Sequence, residues 1–497
     1  MMKTRLYILL AVFAVIGLNS CGKDFLNLQP STSVSDEQAF SSVEAAKTVL
    51  NAAYAYVGHY QNHTLSYIAA DVMGEDMTVT SGAHGWPTYN WNQYSYMYAQ
   101  SPVSSPWWTG YSNYIWPINY KAIDCVNSII GHADLLPETS ERLELLAQAH
   151  AVRGYCYHWL VRLFAGAYNY KPDGPGVILR TEPATATSEH LPRATVAQVY
   201  SQIIFDLSFA YDNISNSSTE YITKRSAALL LARVYLDMND FSNARKYAEA
   251  AAGSVFDGSN LMSKELWASG FKDHNGEWLW YFNYIPSKCN IYASIPSFYW
   301  FAESMEGVEY GGWVDANEVF NLGNEIWDGY GTIRATKAFV QLFEKNDVRK
   351  RFPFYVNEED GFFTSKFGHR TMMGDAEFPM ARIAEAYLIK AEAEANLGNV
   401  AAAKSVLNAL QIKRGATPTE GTLDKIYLER RKELYGEGHR LFDIKRLRQP
   451  LVRSVYPEQW VPLDLPADSP RFMFPLPNNE MLYNTALTEN DQNDYWK

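Results

Sequence analysis

The chain has 497 residues, of which 47% are hydrophobic and 20% charged, a balance that supports a large core and excludes a disordered chain. Its formal net charge is −12 and its basic residues form no cluster, which argues against nucleic acid as a partner. After the N-terminal segment, no stretch approaches the ~20 apolar residues of a membrane-spanning helix.

Lys3 and Arg5 precede an apolar run over residues 6–17, and Leu18-Asn19-Ser20-Cys21 closes it. A basic start, a short apolar run and a small residue at the cleavage site predict a secretory signal over residues 1–20. Leu-x-small-Cys resembles the bacterial lipobox, in which Cys21 is acylated and becomes the first residue. The other reading is an ordinary signal peptide with a chance cysteine. More than one acyl chain makes a stable anchor, so the reading is a soluble fold tethered to a membrane. Cys125, Cys156 and Cys289 cannot all pair, and we read them as buried free thiols.

Aromatic residues are unevenly placed. One cluster runs from Trp86 to Tyr120 and a second from Trp278 to Trp300, both among Gly, Pro, Ser and Asn that mark loops. Trp108, Tyr111, Ile115 and Asn119 fall at helical spacing and read as core. Residues 141–164 carry apolar positions at three- and four-residue spacing and predict a helix, followed by another over 195–211. Residues 224–252 read as a helix, the turn Asn239-Asp240 and a second helix. Leu231, Ala232 and Tyr235 lie on the first, and Ala244, Ala248 and Ala251 on the second. This is the spacing of a tetratricopeptide repeat. A second such unit places Tyr387 and Ala391 before the turn Gly398-Asn399, with Ala403, Leu407 and Leu410 after it. The fold class is therefore mostly α: a tetratricopeptide-like helical hairpin scaffold with long loop-rich insertions, not an uninterrupted solenoid.

Charged residues recur from Glu429 to Arg446, at Glu429, Arg430, Glu433, Glu437, Arg440, Asp443 and Arg446. Helical spacing of opposite charges reads as a structural ion-pair network before it reads as a catalytic site. Glu303, Glu306, Glu309 and Asp315 are acidic enough for glycosidase chemistry on paper, but nothing brings them together. His59 and His63 lack the Glu of a metalloprotease helix, and no EF-hand pattern is present, so no metal or cofactor is assigned.

Several blocks in order resemble one family: residues 24–57 after the cysteine, RGYCYHWLVRLFAGAYNY, RATVAQVYSQIIFDLSFA, the hairpin at 222–251, and ERRKELYGEGHRLFDIKRLR near the end. The chain is similar throughout to the SusD/RagB family of Bacteroidota nutrient-uptake lipoproteins. That resemblance implies one SusD-like domain over 21–497. Residues 21–250 are its N-terminal helical part, 251–375 a loop-rich insertion contributing to the binding face, and 376–497 a C-terminal hairpin and closing segment. It also implies a cell-surface, outer-membrane lipoprotein that captures an oligosaccharide and delivers it to a SusC-like TonB-dependent transporter, without catalysis. Peptide or other non-glycan capture is the alternative, and a surface glycosidase the remote one. Flat rings suit the apolar faces of sugars. The region where the family places such rings points to Trp86, Tyr89, Asn90 and Trp91. The second insertion adds Trp280, Tyr284, Tyr292, Tyr299, Trp300 and Trp313. For each ring, core packing is an equal reading, because Trp and Tyr are highly buried on average.

Overall fold

The computed structural model describes residues 36–79, 112–185, 187–299, 330–352, 361–370, 374–455 and 463–496. Helix α1 (Val43–Val57) starts at Ser42, whose side chain accepts from the Ala45 amide, and buries Ala46, Leu50, Ala53 and Val57 along one stripe. Helix α2 (His63–Val72) is buried on every side. Helix α3 is Ser112–Gly131 and α4 is Ser140–Phe164. From Ala147 onward every α4 residue is buried, so this helix is the central post of the N-terminal half. Helices α5 (Val196–Asn213) and α6 (Lys224–Asp237) each begin with reciprocal caps, Thr195 with Gln198 and Thr223 with Ser226. Helix α7 (Phe241–Ala252) follows the turn at Asn239, with Asp240 accepting from the Asn243 amide. The C-terminal part adds α8 (Ile383–Asn396), α9 (Val400–Arg414), α10 (Leu423–Leu434) and α11 (Arg440–Arg446).

Each helix from α3 to α8 packs on the next in this series, and α10 packs on α8. The two repeat-like hairpins expected from the sequence are therefore α6–α7 and α8–α9. In space, however, they are not separated: α7 lies directly against α8. The chain leaves the array after α7 and returns to the same place, so the array is continuous where the sequence is interrupted. Small side chains make the join close, with Ala244, Ala248 and Ala251 on α7 and Ala384, Ala391 and Ala393 on α8 all fully buried.

Among the described residues, four two-stranded antiparallel sheets decorate the helices: β1 (Met77–Val79) with β5 (Ile333–Ala335), β2 (Pro175–Ile178) with β3 (Arg193–Thr195), β4 (Trp278–Tyr284) with β6 (Ala376–Arg382), and β7 (Leu451–Val452) with β8 (Asp464–Leu465). The β4 segment corrects an expectation. Trp278–Tyr284 is a strand and not a loop, because its run of Trp, Tyr and Phe suits a pleated surface, and β6 and the helices cover it. Cys156 is buried, whereas Cys125 and Cys289 are half-buried; all three are free. Replacing Ala248 with Phe is expected to overpack the α7 seam and cost about 1–3 kcal/mol, measured by thermal and urea unfolding.

Candidate functional site

Residues that flank 80–111, 300–329 and 353–360 pair on one seam. Strand β1 ends at Val79, directly before residues 80–111, and pairs with β5 just after residues 300–329, with Val79 opposite Ile333 and Met77 opposite Ala335. Ala335 also exchanges main-chain hydrogen bonds of 2.7 and 2.8 Å with Phe362, just after residues 353–360. Gly361 lies between them at φ 72°. A Cβ there would sit 2.5 Å from the Ala335 carbonyl oxygen, so only glycine permits this approach. A second clip joins both ends of 300–329: the Gly331 and Tyr330 amides donate to the Ser297 carbonyl (3.0 Å) and hydroxyl (3.3 Å).

Beside this seam stand three half-buried tyrosines, Tyr60 from the α1–α2 turn, Tyr114 at the start of α3, and Tyr330. Burial raises the Tyr60 pKa, and the neighbouring phenols of Tyr114 and Tyr330 raise it further, so the three hydroxyls share one locality. The His59 ring stacks on Tyr60 at 4.8 Å. Sequence reasoning missed all three tyrosines. Tyr60 follows His59 in a turn and Tyr114 stands in the first aromatic cluster, but nothing local sets either of them or Tyr330 apart from the other rings.

The rings singled out from sequence divide differently. Trp280 is 3% exposed and packs edge-on against Tyr155 with centroids 5.0 Å apart. Tyr284 is fully buried, its hydroxyl 2.7 Å from His63 Nδ1 and 3.1 Å from Thr64 Oγ1. Tyr299 is also fully buried and donates to Asp71 Oδ2 at 3.3 Å. These three are corrected to core: Tyr155 of α4 packs on Trp280, His63 and Thr64 of α2 meet the Tyr284 hydroxyl, and Asp71 of α2 and the Phe367 ring meet Tyr299. Tyr292 is 49% exposed and remains a candidate. Cys21, Trp86, Tyr89, Asn90, Trp91, Trp300 and Trp313 lie outside the described residues, as do Trp108, Tyr111, Glu303, Glu306, Glu309 and Asp315. Ile115 and Asn119 are core as expected, with Asn119 donating to Asn62 Oδ1 at 2.7 Å. Burial lowers the His63 pKa to about 3, so its imidazole is neutral. Among the described residues, no group of three His, Cys, Asp or Glu gathers as a metal site.

Comparison with known proteins decides the family. A SusD-like family model described as "Starch-binding associating with outer membrane" matches residues 24–236, and the SusD family model matches residues 355–496. The chain belongs to the SusD family. A SusD-like protein of Formosa agariphila is 24% identical over 428 residues, covering 76% of this chain and 78% of its own. A SusD-like carbohydrate binding protein from Bacteroides vulgatus superimposes with a TM-score of 0.74 at 24% identity, over 90% of this chain and 98% of its own. Surface glycan-binding protein A from Bacteroides thetaiotaomicron gives a TM-score of 0.70 at 18% identity, over 92% and 100%.

In this SusD family chain the C-terminal charged block is a buried network, as its spacing suggested, but most of its partners come from other elements. Glu433 meets Arg382 (2.6 Å), Arg414 (2.9 Å) and Arg349 (3.0 Å). Glu277 pairs with Arg382 and Arg414, and Glu437 with Arg382 and Lys366. Burial alone would raise the Glu433 carboxyl, yet Arg414, Arg382 and Arg349 together hold it well below the ordinary range. An ionised carboxylate tied to three guanidiniums cannot serve as a general acid at neutral pH. Asp71 is the opposite case. Burial raises it to about 7, although the Gly438 amide and Lys366 favour its charged form.

Two outcomes follow from these pKa directions. A depressed carboxylate contributes stability above its unfolded pKa and loses it as pH falls. Glu433→Ala is therefore expected to cost about 3–5 kcal/mol at neutral pH, read by urea unfolding, with a smaller penalty in acid. Asp71 has the reverse sign: the folded state binds its proton more tightly, so its contribution falls as pH rises from about 4 to 7. Asp71→Asn keeps both acceptor contacts without the charge. Its Tm relative to the unsubstituted chain is expected to rise steadily over that interval.

Proposed function

We propose that this SusD family chain is a cell-surface glycan-binding protein. It captures an oligosaccharide at the face where the insertion stems meet and passes it to a SusC-like TonB-dependent transporter, while Cys21 tethers it to the outer membrane. The observation that carries the reading is the seam itself: β1, β5 and Phe362 bring together residues that flank 80–111, 300–329 and 353–360, beside Tyr60, Tyr114 and Tyr330. Two of those segments hold Trp86, Tyr89, Trp91, Trp300 and Trp313. The relatives add support, since their names state carbohydrate or glycan binding and the family description states starch binding.

The physics of the proposed contact is simple. A pyranose presents C–H groups on its faces and hydroxyls around its rim. Rigid rings cover the faces with little loss of side-chain entropy, while Asn90 and the tyrosine hydroxyls engage the rim. Rings spread along an open face suit a chain of sugars better than a closed pocket does. The lipid tether keeps the binding domain at high effective concentration over its transporter.

Calorimetric titration of the purified protein with a panel of oligosaccharides tests the reading. We expect saturable binding with the sugar recovered unchanged by chromatography, and losses of roughly tenfold or more on Trp86→Ala, Trp91→Ala or Tyr60→Ala. Binding of peptides with no response to any glycan would overturn it, as would turnover abolished by one Asp or Glu substitution. Cys21→Ser is expected to leave binding by the purified protein intact and to abolish surface display and uptake; binding lost in that variant would contradict the tether.

A further inference from the structure

A second concave site lies away from the insertion stems. Between the C-terminal end of α4, the turn after it and the closing segment of the chain there is a cavity of about 460 Å³, within the range that holds small ligands. Val196, Lys445 and Phe472 form its buried floor, and Tyr170, Pro175 and Asn490 stand at its exposed mouth. None of its lining residues belongs to the seam described above.

Two features set it apart from an incidental hollow. The first is a strained ion pair on its wall. Arg448 (φ 51°) and Asp468 (φ 58°) both hold left-handed backbone conformations, which non-glycine residues adopt only at a steric cost and which gather at ligand clamps. Arg448 directly follows the C-cap Leu447 of α11, where glycine is the usual residue. Its guanidinium grips Asp468 in a two-pronged contact, Nη2 to Oδ2 at 2.6 Å and Nε to Oδ1 at 3.1 Å. The same guanidinium lies 4.6 Å from the centre of the Tyr170 ring, and the Lys171 ammonium lies 5.6 Å from it. One costly pair thus fixes a carboxylate and an aromatic ring on the cavity wall.

The second feature is Lys445, 8% exposed. Its Nζ donates to the Arg162 carbonyl and, at 2.8 Å, to the Ala165 carbonyl at the end of α4. Burial and the Arg162 charge lower its pKa to about 7, so near neutrality its nitrogen on the cavity floor can either donate to a hydroxyl or accept from one. The charges on the walls are of both signs: Asp468, Asp491 and Asp494 face Lys171 and Lys445, and Arg193 donates to the Asp491 carbonyl. With three acids and two lysines in the lining, no excess of positive charge draws an anion.

We propose that this cavity binds a neutral mono- or disaccharide. Its hydroxyls donate to Asp468 and exchange a hydrogen bond with Lys445, and its C–H groups lie on Val196, Phe472, Pro175 and Tyr170. The proposal does not depend on the insertion face being a glycan site.

Saturation-transfer NMR on the purified full-length protein with D-glucose, D-galactose and maltose tests it, with sodium D-glucuronate as the anionic probe. We expect saturable transfer to the ring protons of at least one neutral sugar. Affinity should drop about tenfold in Tyr170→Ala and in Asp468→Asn, with the exposed Tyr170→Ala deciding if Asp468→Asn lowers the Tm. The titrations are repeated in the Trp86→Ala chain. Transfer that disappears there and persists in Tyr170→Ala belongs to the insertion face and overturns the proposal. So does the absence of transfer to all three neutral sugars, or binding of glucuronate alone that vanishes with added salt.

Discussion

The Glu433 carboxylate joins the helical array to the region that carries the insertions. It projects from α10 and receives guanidiniums from three separate places: Arg349, Arg382 at the end of β6, and Arg414 at the end of α9. Around it, Lys366, Lys432, Arg349, Arg382 and Arg414 balance Glu277, Asp347, Glu429, Glu433 and Glu437, and all ten side chains are buried. Equal numbers matter in a low dielectric. A paired set of buried charges roughly offsets its own desolvation, whereas one removed partner leaves an uncompensated charge. The network therefore constrains how the parts fit more than it adds to their stability. It admits the arrangement in which β6, α9 and α10 converge and penalises others.

The same helix also reaches the β1–β5 seam. Glu429 and Glu433 are four residues apart and share one face of α10, while Arg431 points elsewhere, to Glu75 at 3.2 Å and to Asp76. Arg440 at the start of α11 grips Glu75 at 2.6 Å. Burial opposes ionisation of Glu75, but Arg440 and Arg431 bring its pKa down to about 2, so the clamp is charged at any physiological pH. Glu75 and Asp76 immediately precede β1. The C-terminal block that is most distinctive in the sequence thus holds both the interior of the array and the stem of the first insertion.

How far the sequence disclosed this depended on range. Helices and their turns were legible because caps such as Thr195 with Gln198, and small residues such as Ala244, Ala248 and Ala251, act locally and recur with helical period. The ionic character of the 429–446 block was legible for the same reason. Its partners were not: Glu277, Arg349, Lys366, Arg382 and Arg414 lie far away in the chain, and no spacing announces them. Strands β1 and β5 are three residues each and pair across more than two hundred positions, so neither alternation nor a turn signal marks them. Rings were the least legible. Trp280, Tyr284 and Tyr299 have the same composition signature as Tyr292, yet three fill the core and one faces solvent, because burial is decided by contacts distant in the chain, such as Tyr155 against Trp280, His63 against Tyr284 and Asp71 against Tyr299.

Joining distant stretches of chain through main-chain contacts decides what the frame tolerates. Once β1 and β5 are paired and Ser297 holds Gly331, the flanks of residues 300–329 are fixed by contacts made outside that segment. The frame itself rests on buried charge, so a single substitution at Glu433, Arg382 or Arg431 disturbs it by leaving a partner uncompensated. Changes in the seam and changes in the charge network therefore act on one unit, although more than two hundred residues of chain separate β1 from β5.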